Sequence, residues 1–160
     1  SRYRHWSEDW KMTGKRKALL FTAQGEKDIT VALSWKPRTE SPLYEFCMGG
    51  WDNSKTVLRK YSGSIPICRI PNVPADIDTI RNKAIVVDSM RTINNPINRF
   101  WILVDEETKT VSMGSGTIPG KKIWITYIDE TITAAPLYFS FSSWINEVKY
   151  SEIRTEILEE

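Results

Sequence analysis

The sequence predicts an all-β domain, an antiparallel β-sandwich or jelly roll of about ten short strands with little or no helix. Three observations lead there. Apolar and polar residues alternate with a period of two: Ile29, Val31, Leu33 and Trp35 interleave with Thr30, Ala32 and Ser34, and Phe139 and Phe141 with Ser140 and Ser142. The strand-like stretches are short and are separated by Gly, Pro, Asn and Asp. No stretch longer than about eight residues places apolar side chains at i, i+3, i+4 and i+7, as a helix would.

In chain order, strands are expected at 16–24, 29–35, 43–48, 55–61, 65–70, 84–88, 99–105, 109–113, 121–128, 135–144 and 148–157. Residues 1–15 read as a basic, solvated lead-in, and 16–157 as a single sandwich domain. Asp105-Glu106-Glu107-Thr108 reads as a hairpin tip. The strand before it sets Trp101 and Leu103 on one face and Phe100, Ile102 and Val104 on the other, so this hairpin belongs at the centre of a sheet. The segment 71–98 is the least regular and is read as a long connection with one short strand at Ile85-Val86-Val87. Near the C-terminus, Ile153, Thr155 and Ile157 alternate with Arg154 and Glu156, which favours a last strand over a helix.

Composition removes whole classes of function. The chain has 160 residues, 41% of them hydrophobic and 26% charged, with a formal net charge of +2. That is long enough for a packed core without staples, too apolar for disorder, and without a run of the roughly 20 apolar residues that span a bilayer. In residues 1–17, Arg2, Arg4, Lys11, Lys15, Arg16 and Lys17 outnumber Glu8 and Asp9. This density is too modest to imply nucleic acid, and no nucleic-acid partner is expected. Cys47 and Cys68 match no zinc spacing; a single bridge and two buried thiols both remain open. With no signal segment at its start, the chain reads as processed or excised, with an extracellular setting favoured over an intracellular one.

Catalytic sets are missing as well. The one histidine, His5, lies in the lead-in, away from any Ser or Cys nucleophile, and no metal site is expected. The glycine-rich stretch Met113-Gly114-Ser115-Gly116-Thr117-Ile118-Pro119-Gly120-Lys121-Lys122 has the wrong spacing for a phosphate loop and has strands on both sides. It is read as a turn whose glycines serve positive φ or close backbone approach. Glu45, Asp52, Asp88, Asp105 and Asp129 are candidate acids, none paired by spacing.

The most distinctive stretch is Tyr44-Glu45-Phe46-Cys47-Met48-Gly49-Gly50-Trp51-Asp52-Asn53-Ser54-Lys55-Thr56-Val57-Leu58-Arg59. A strand runs into two glycines, a tryptophan, a polar turn and a second strand. This segment resembles the signature of the farnesoic acid O-methyltransferase-like domain. The resemblance continues in order through Phe100-Trp101-Ile102, Val111-Ser112-Met113-Gly114-Ser115-Gly116 and Phe139-Ser140-Phe141-Ser142-Ser143-Trp144, covering about residues 16–150. It implies a small β-sandwich module. The family name implies methyl transfer from S-adenosylmethionine, but the chain offers neither the helices nor the glycine-rich strand-to-helix turn of the usual methyltransferase fold. No catalytic residue is therefore carried over, and no cofactor is expected.

Function is accordingly expected to be non-catalytic: an interaction or recognition module that docks on protein partners, as a subunit of an assembly or a domain of a larger chain. The alternative is a carbohydrate-binding module in which Trp51 or Trp144 stacks on a sugar ring while Asp52, Asn53 and Arg59 bond its hydroxyls. A methyltransferase is the third reading. Arg59 is also expected to pair with Glu45 on the neighbouring strand. Of the seven tryptophans, Trp6 and Trp10 belong to the basic lead-in and Trp35, Trp101 and Trp124 are expected in the core, which leaves Trp51 and Trp144 as places to meet a ligand.

Overall fold

In the computed structural model, residues 3, 5–37, 43–61, 84–144 and 146–158 are described. Among them run eleven strands: β1 (Lys11–Met12), β2 (Arg16–Gln24), β3 (Ile29–Ser34), β4 (Tyr44–Gly49), β5 (Lys55–Tyr61), β6 (Ala84–Ser89), β7 (Ile97–Asp105), β8 (Thr110–Ser115), β9 (Ile123–Ile128), β10 (Leu137–Ser143) and β11 (Lys149–Ile157). They form a six-stranded sheet in the order β1-β10-β3-β4-β5-β6 and a five-stranded sheet in the order β11-β2-β7-β8-β9. Every pairing is antiparallel. The expected all-β sandwich is thus the fold, and each expected strand within the described residues is present to within a few positions. The stretch 65–70 and Cys68 lie outside them.

Period-two alternation does the sorting. Ile29, Val31 and Leu33 of β3, Tyr44, Phe46 and Met48 of β4 and Leu58 of β5 face Leu19 and Phe21 of β2 and Phe100, Ile102 and Val104 of β7 in one core between the sheets. The hairpin β7–β8 is central, as its two apolar faces require. Its second face, Trp101 and Leu103, joins Ala18 and Leu20 in a separate cluster on the outward side of the five-stranded sheet. The tip is tied by Asp105, whose Oδ1 accepts from the Glu107 and Thr108 amides at 3.0 and 3.3 Å.

Trp101 is completely buried although it faces outward. The loop 114–122 lies over it, and the indole Nε1 donates to the Ser115 and Lys121 carbonyls at 3.2 and 2.9 Å. The glycine-rich stretch is therefore a cover, and close approach is the reason for its first glycine. A Cβ on Gly114 would lie 2.3 Å from the Lys122 oxygen and 2.6 Å from Trp101 Cζ2.

The solvated lead-in expected for 1–15 is only partly so. Tyr3 and Met12 are completely buried, and β1 pairs with β10, while Trp10 and Lys15 stay exposed. The charges dominate the segment's sequence and conceal the two buried anchors.

Lys17 is a second surprise. It stands on the inward parity of β2 with Leu19 and Phe21, completely buried, and its Nζ donates to the Ala135 carbonyl at 2.6 Å. Burial holds its pKa below the ordinary lysine value, partly countered by the Glu106 charge. A depressed lysine is more protonated in the unfolded chain, so stability rises with pH through the folded-state value toward 10.5. Lys17→Met is expected to raise the melting temperature at pH 7 by a few degrees, a gain of about 1 kcal/mol, and to abolish that rise at alkaline pH. Thermal melts at pH 7 and pH 10 check this; a melting temperature that falls at pH 7 would refute it.

Candidate functional site

The β4–β5 corner carries the local geometry that a site needs. Gly49 at φ 70° starts one helical turn, Gly50–Asn53, in which Trp51, Asp52 and Asn53 also take positive φ, at 51°, 57° and 58°. Left-handed residues other than glycine cost roughly 1 kcal/mol or more each. Gly49 itself admits no side chain, because a Cβ would come 2.7 Å from Ile93 Cγ1. Hydrogen bonds offset the strain. Ser54 N closes the turn onto the Gly50 carbonyl at 3.0 Å, and Ser54 Oγ donates to the Trp51 carbonyl at 2.7 Å. Asn53 is clamped to the backbone of Ile93, accepting from its amide at 2.7 Å and donating to its carbonyl at 2.8 Å.

The turn lays Trp51 against the outward face of β5, 38% exposed. Lys55 Nζ lies 4.8 Å and Arg59 Cζ 5.0 Å from the centroid of its ring, so two cations of one strand face stack on the indole. Arg59 is also in register with Glu45 and donates from Nη1 to its Oε1 at 2.7 Å, the pair expected from the sequence. Tyr3 donates its hydroxyl to the other carboxylate oxygen at 2.8 Å. Asp52 is almost fully exposed and accepts from Lys27 Nζ at 2.9 Å. That hydrogen bond holds the lysine above, and the carboxyl below, its ordinary pKa.

The structure therefore brings Trp51, Asp52 and Arg59 to one corner. Asn53 sits there too, with its amide taken up by Ile93. Trp144 lies apart, just after β10, with β3 and β4 intervening before β5. A chain of bonds joins its neighbourhood to the corner: Asn146 Nδ2 donates to the Lys27 carbonyl at 2.8 Å, and Lys27 to Asp52. Sequence reasoning missed Lys55, Lys27 and Tyr3. Lys55 was legible in principle, four residues before Arg59 on the same strand face. Tyr3 lies 42 positions from Glu45, and nothing local signals that contact.

The five candidate carboxylates are each engaged with a cation. Glu45 and Asp52 hold Arg59 and Lys27, Asp88 lies 3.7 Å from Lys55, Asp105 3.3 Å from Arg16, and Asp129 2.7 Å from Lys60. Asp129 is buried and central to a cluster. Tyr44 donates its hydroxyl to Oδ2, while Thr131 donates its amide and hydroxyl to Oδ1 at 3.0 and 2.7 Å. Burial alone would raise this carboxyl, but the bonds from Lys60, Tyr44 and Thr131 outweigh it and bring the pKa down to about 2. Burial first, and then the hydrogen bond to Asp129 and its charge, push the Tyr44 phenol far up. Among the described residues, no group of three or more His, Cys, Asp or Glu is placed to hold a metal ion, and no helix is long and apolar enough to cross a membrane.

Solved structures share this architecture. Toad ovary galectin in complex with N-acetylgalactose superposes with a TM-score of 0.62 at 8% identity, covering 98% of this chain and 100% of that one. The ancestral congerin Con-anc does so with 0.61 at 9%, covering 96% and 99%. Sheep galectin-11 in complex with glycerol gives 0.57 at 7%, covering 92% and 95%. At these identities the likeness is one of fold, a galectin-like β-sandwich. No curated protein matches the sequence. The family model described as farnesoic acid O-methyl transferase matches residues 2–155, nearly the whole chain, and the protein belongs to that family.

Proposed function

We propose that this domain is a non-catalytic recognition module whose ligand is a saccharide, bound at the Trp51 corner. The observation that carries the reading is the indole itself, held partly exposed by a strained turn and flanked by Lys55, Arg59 and Asp52. An aromatic face takes the C–H side of a sugar ring, and charged groups at its rim bond the hydroxyls. Strain is retained where a structure over-determines it, commonly at binding sites. The sugar complex of toad ovary galectin lends the reading support through the shared fold. The non-catalytic part rests on the loop 114–122, the chain's glycine-rich turn, whose Ser115 and Lys121 carbonyls are engaged by Trp101 and whose first glycine is filled by packing. Such a loop is unsuited to cradling S-adenosylmethionine.

Applied to a glycan array, the full chain is expected to retain a defined set of saccharides. Trp51→Ala is expected to weaken that binding by about tenfold or more while shifting the melting temperature by only a few degrees, since cation–π contacts at an exposed ring are worth about 1 kcal/mol. An array without hits, or a variant that binds as well as the parent chain, rules the reading out.

Docking on protein keeps one specific support, at a different place. An open groove of about 380 Å³ beside β7 sets exposed Ile97 and Ile118 among Arg99, Lys121 and Lys122. This suits the acidic, partly apolar face of a partner chain. Crosslinks from Lys121 and Lys122 into a copurified assembly would support it, and their absence from an intact assembly would dismiss it.

A further inference from the structure

The outward face of the six-stranded sheet is built of small and polar residues, yet it is buried. Register places Ser140, Ala32, Glu45 and Arg59 side by side across β10, β3, β4 and β5, with Ser142, Thr30, Cys47 and Val57 in the next row. Thr30 and Ala32 are 0% exposed, and Ser140 and Glu45 1%. A face meant only for packing would be apolar, because a buried hydroxyl without a partner costs about 1–3 kcal/mol and a buried carboxylate more. Here Thr30 Oγ1 and Ser140 Oγ are buried with no hydrogen-bond partner among the described residues.

Tyr3 stands on this row. Its side chain is completely buried, and its hydroxyl donates to Glu45 Oε2 at 2.8 Å, opposite the Arg59 bond to Oε1 at 2.7 Å. The Tyr3 carbonyl in turn accepts from Trp6 Nε1 at 3.3 Å. A phenol presents a flat ring with a hydroxyl at its edge. To a carboxylate, this is the same offer a pyranose makes.

We propose that Glu45 is a further hydroxyl-binding subsite, on the sheet face it shares with Ser140 and Thr30, that Tyr3 occupies it in the free chain, and that ligand entry displaces Tyr3. This rests on the saccharide reading of the Trp51 corner, to which Arg59 connects it directly by touching both the Trp51 ring and Glu45. The entering sugar exchanges one hydroxyl donor on Glu45 for another. Because Tyr3 competes with ligand, apparent affinity is reduced by the fraction of chains in which the subsite is closed.

The full chain, Tyr3→Phe, and the double variant Tyr3→Phe with Glu45→Gln are compared on the array of neutral mono- and disaccharides, with hydrogen exchange of residues 1–10 followed by mass spectrometry. Tyr3→Phe keeps the ring and drops the bond to Glu45. It is expected to bind about three- to tenfold more tightly, to exchange faster in residues 1–10, and to lose the gain once Glu45 is Gln. Bound sugar is expected to accelerate the same exchange in the parent chain. Equal or weaker binding by Tyr3→Phe overturns the subsite. Unchanged exchange in Tyr3→Phe overturns the displacement whether or not a sugar binds. Faster exchange in Tyr3→Phe with no saccharide retained by any chain instead leaves Tyr3 a releasable cover and rejects the sugar as its competitor.

Discussion

Replacing Asp129 by alanine is expected to lower stability at pH 7 by about 3 kcal/mol and the melting temperature by about 10 °C. Asp129 follows β9 of the five-stranded sheet. Its partners Tyr44 and Lys60 stand in register on β4 and β5 of the other sheet, so one carboxylate ties the two layers together. Lys60 bonds it at 2.7 and 2.8 Å, and the side chains of the pair are 15% and 3% exposed. Removing the anion leaves a mostly buried ammonium and a buried phenol without their acceptor, the costly way to break such a pair.

The same cluster sets an acid dependence. The folded carboxyl titrates at about 2, below its usual 3.8, so the folded state binds fewer protons than the unfolded chain between these values. The resulting stabilisation, about 2 kcal/mol, is complete above pH 4 and is lost as the pH falls toward 2. Asp129→Asn keeps an acceptor for Tyr44 and is expected to lack this part of the acid slope. Denaturant melts between pH 7 and pH 2 decide the matter; parallel curves for parent and Asn variant would exclude Asp129 as the source.

Gly114→Ala is the second large effect, a loss of about 3 kcal/mol. The added Cβ has rigid neighbours on both sides, the Lys122 carbonyl at 2.3 Å and the Trp101 ring at 2.6 Å. Neither yields cheaply. The carbonyl belongs to the backbone that bonds Ser115 N at 3.2 Å, and the indole is tied to two carbonyls of the same loop. The variant is expected to lift the loop, expose Trp101 and lower the melting temperature by about 10 °C. Gly116→Ala is the control. It lies in the same loop at φ 90°, but its Cβ would meet only Lys122 Cδ at 3.8 Å, so its loss is expected to be about 1 kcal/mol. Equal losses at the two positions would show that backbone conformation, not contact with Trp101, governs the loop.

The all-β class and the positions of the strands along the chain were legible in the sequence, because a strand buried on one face alternates apolar and polar residues every second position. The central place of β7 was legible too, from apolar residues on both its faces. So was the pairing of Arg59 with Glu45, since a short polar turn between two strands nearly determines their register. The corner at Gly49 and Gly50 announced itself by composition, though not that Trp51, Asp52 and Asn53 would all wind left-handed. Local preference runs against that conformation, and Asn53 overcomes it only through the backbone of Ile93, forty residues away.

What the sequence determined by itself is the fold class, its strands and one candidate corner. Tertiary structure alone decided that Tyr3 lies on Glu45, that Lys17 is inside, that the glycine-rich loop covers Trp101, and that Asp129 joins the sheets through Lys60 and Tyr44. The division has one physical cause. Alternation and turn chemistry act over a few residues and leave their mark in the order of the chain, whereas these contacts join segments 20 to 118 positions apart and come into being only when the chain closes on itself.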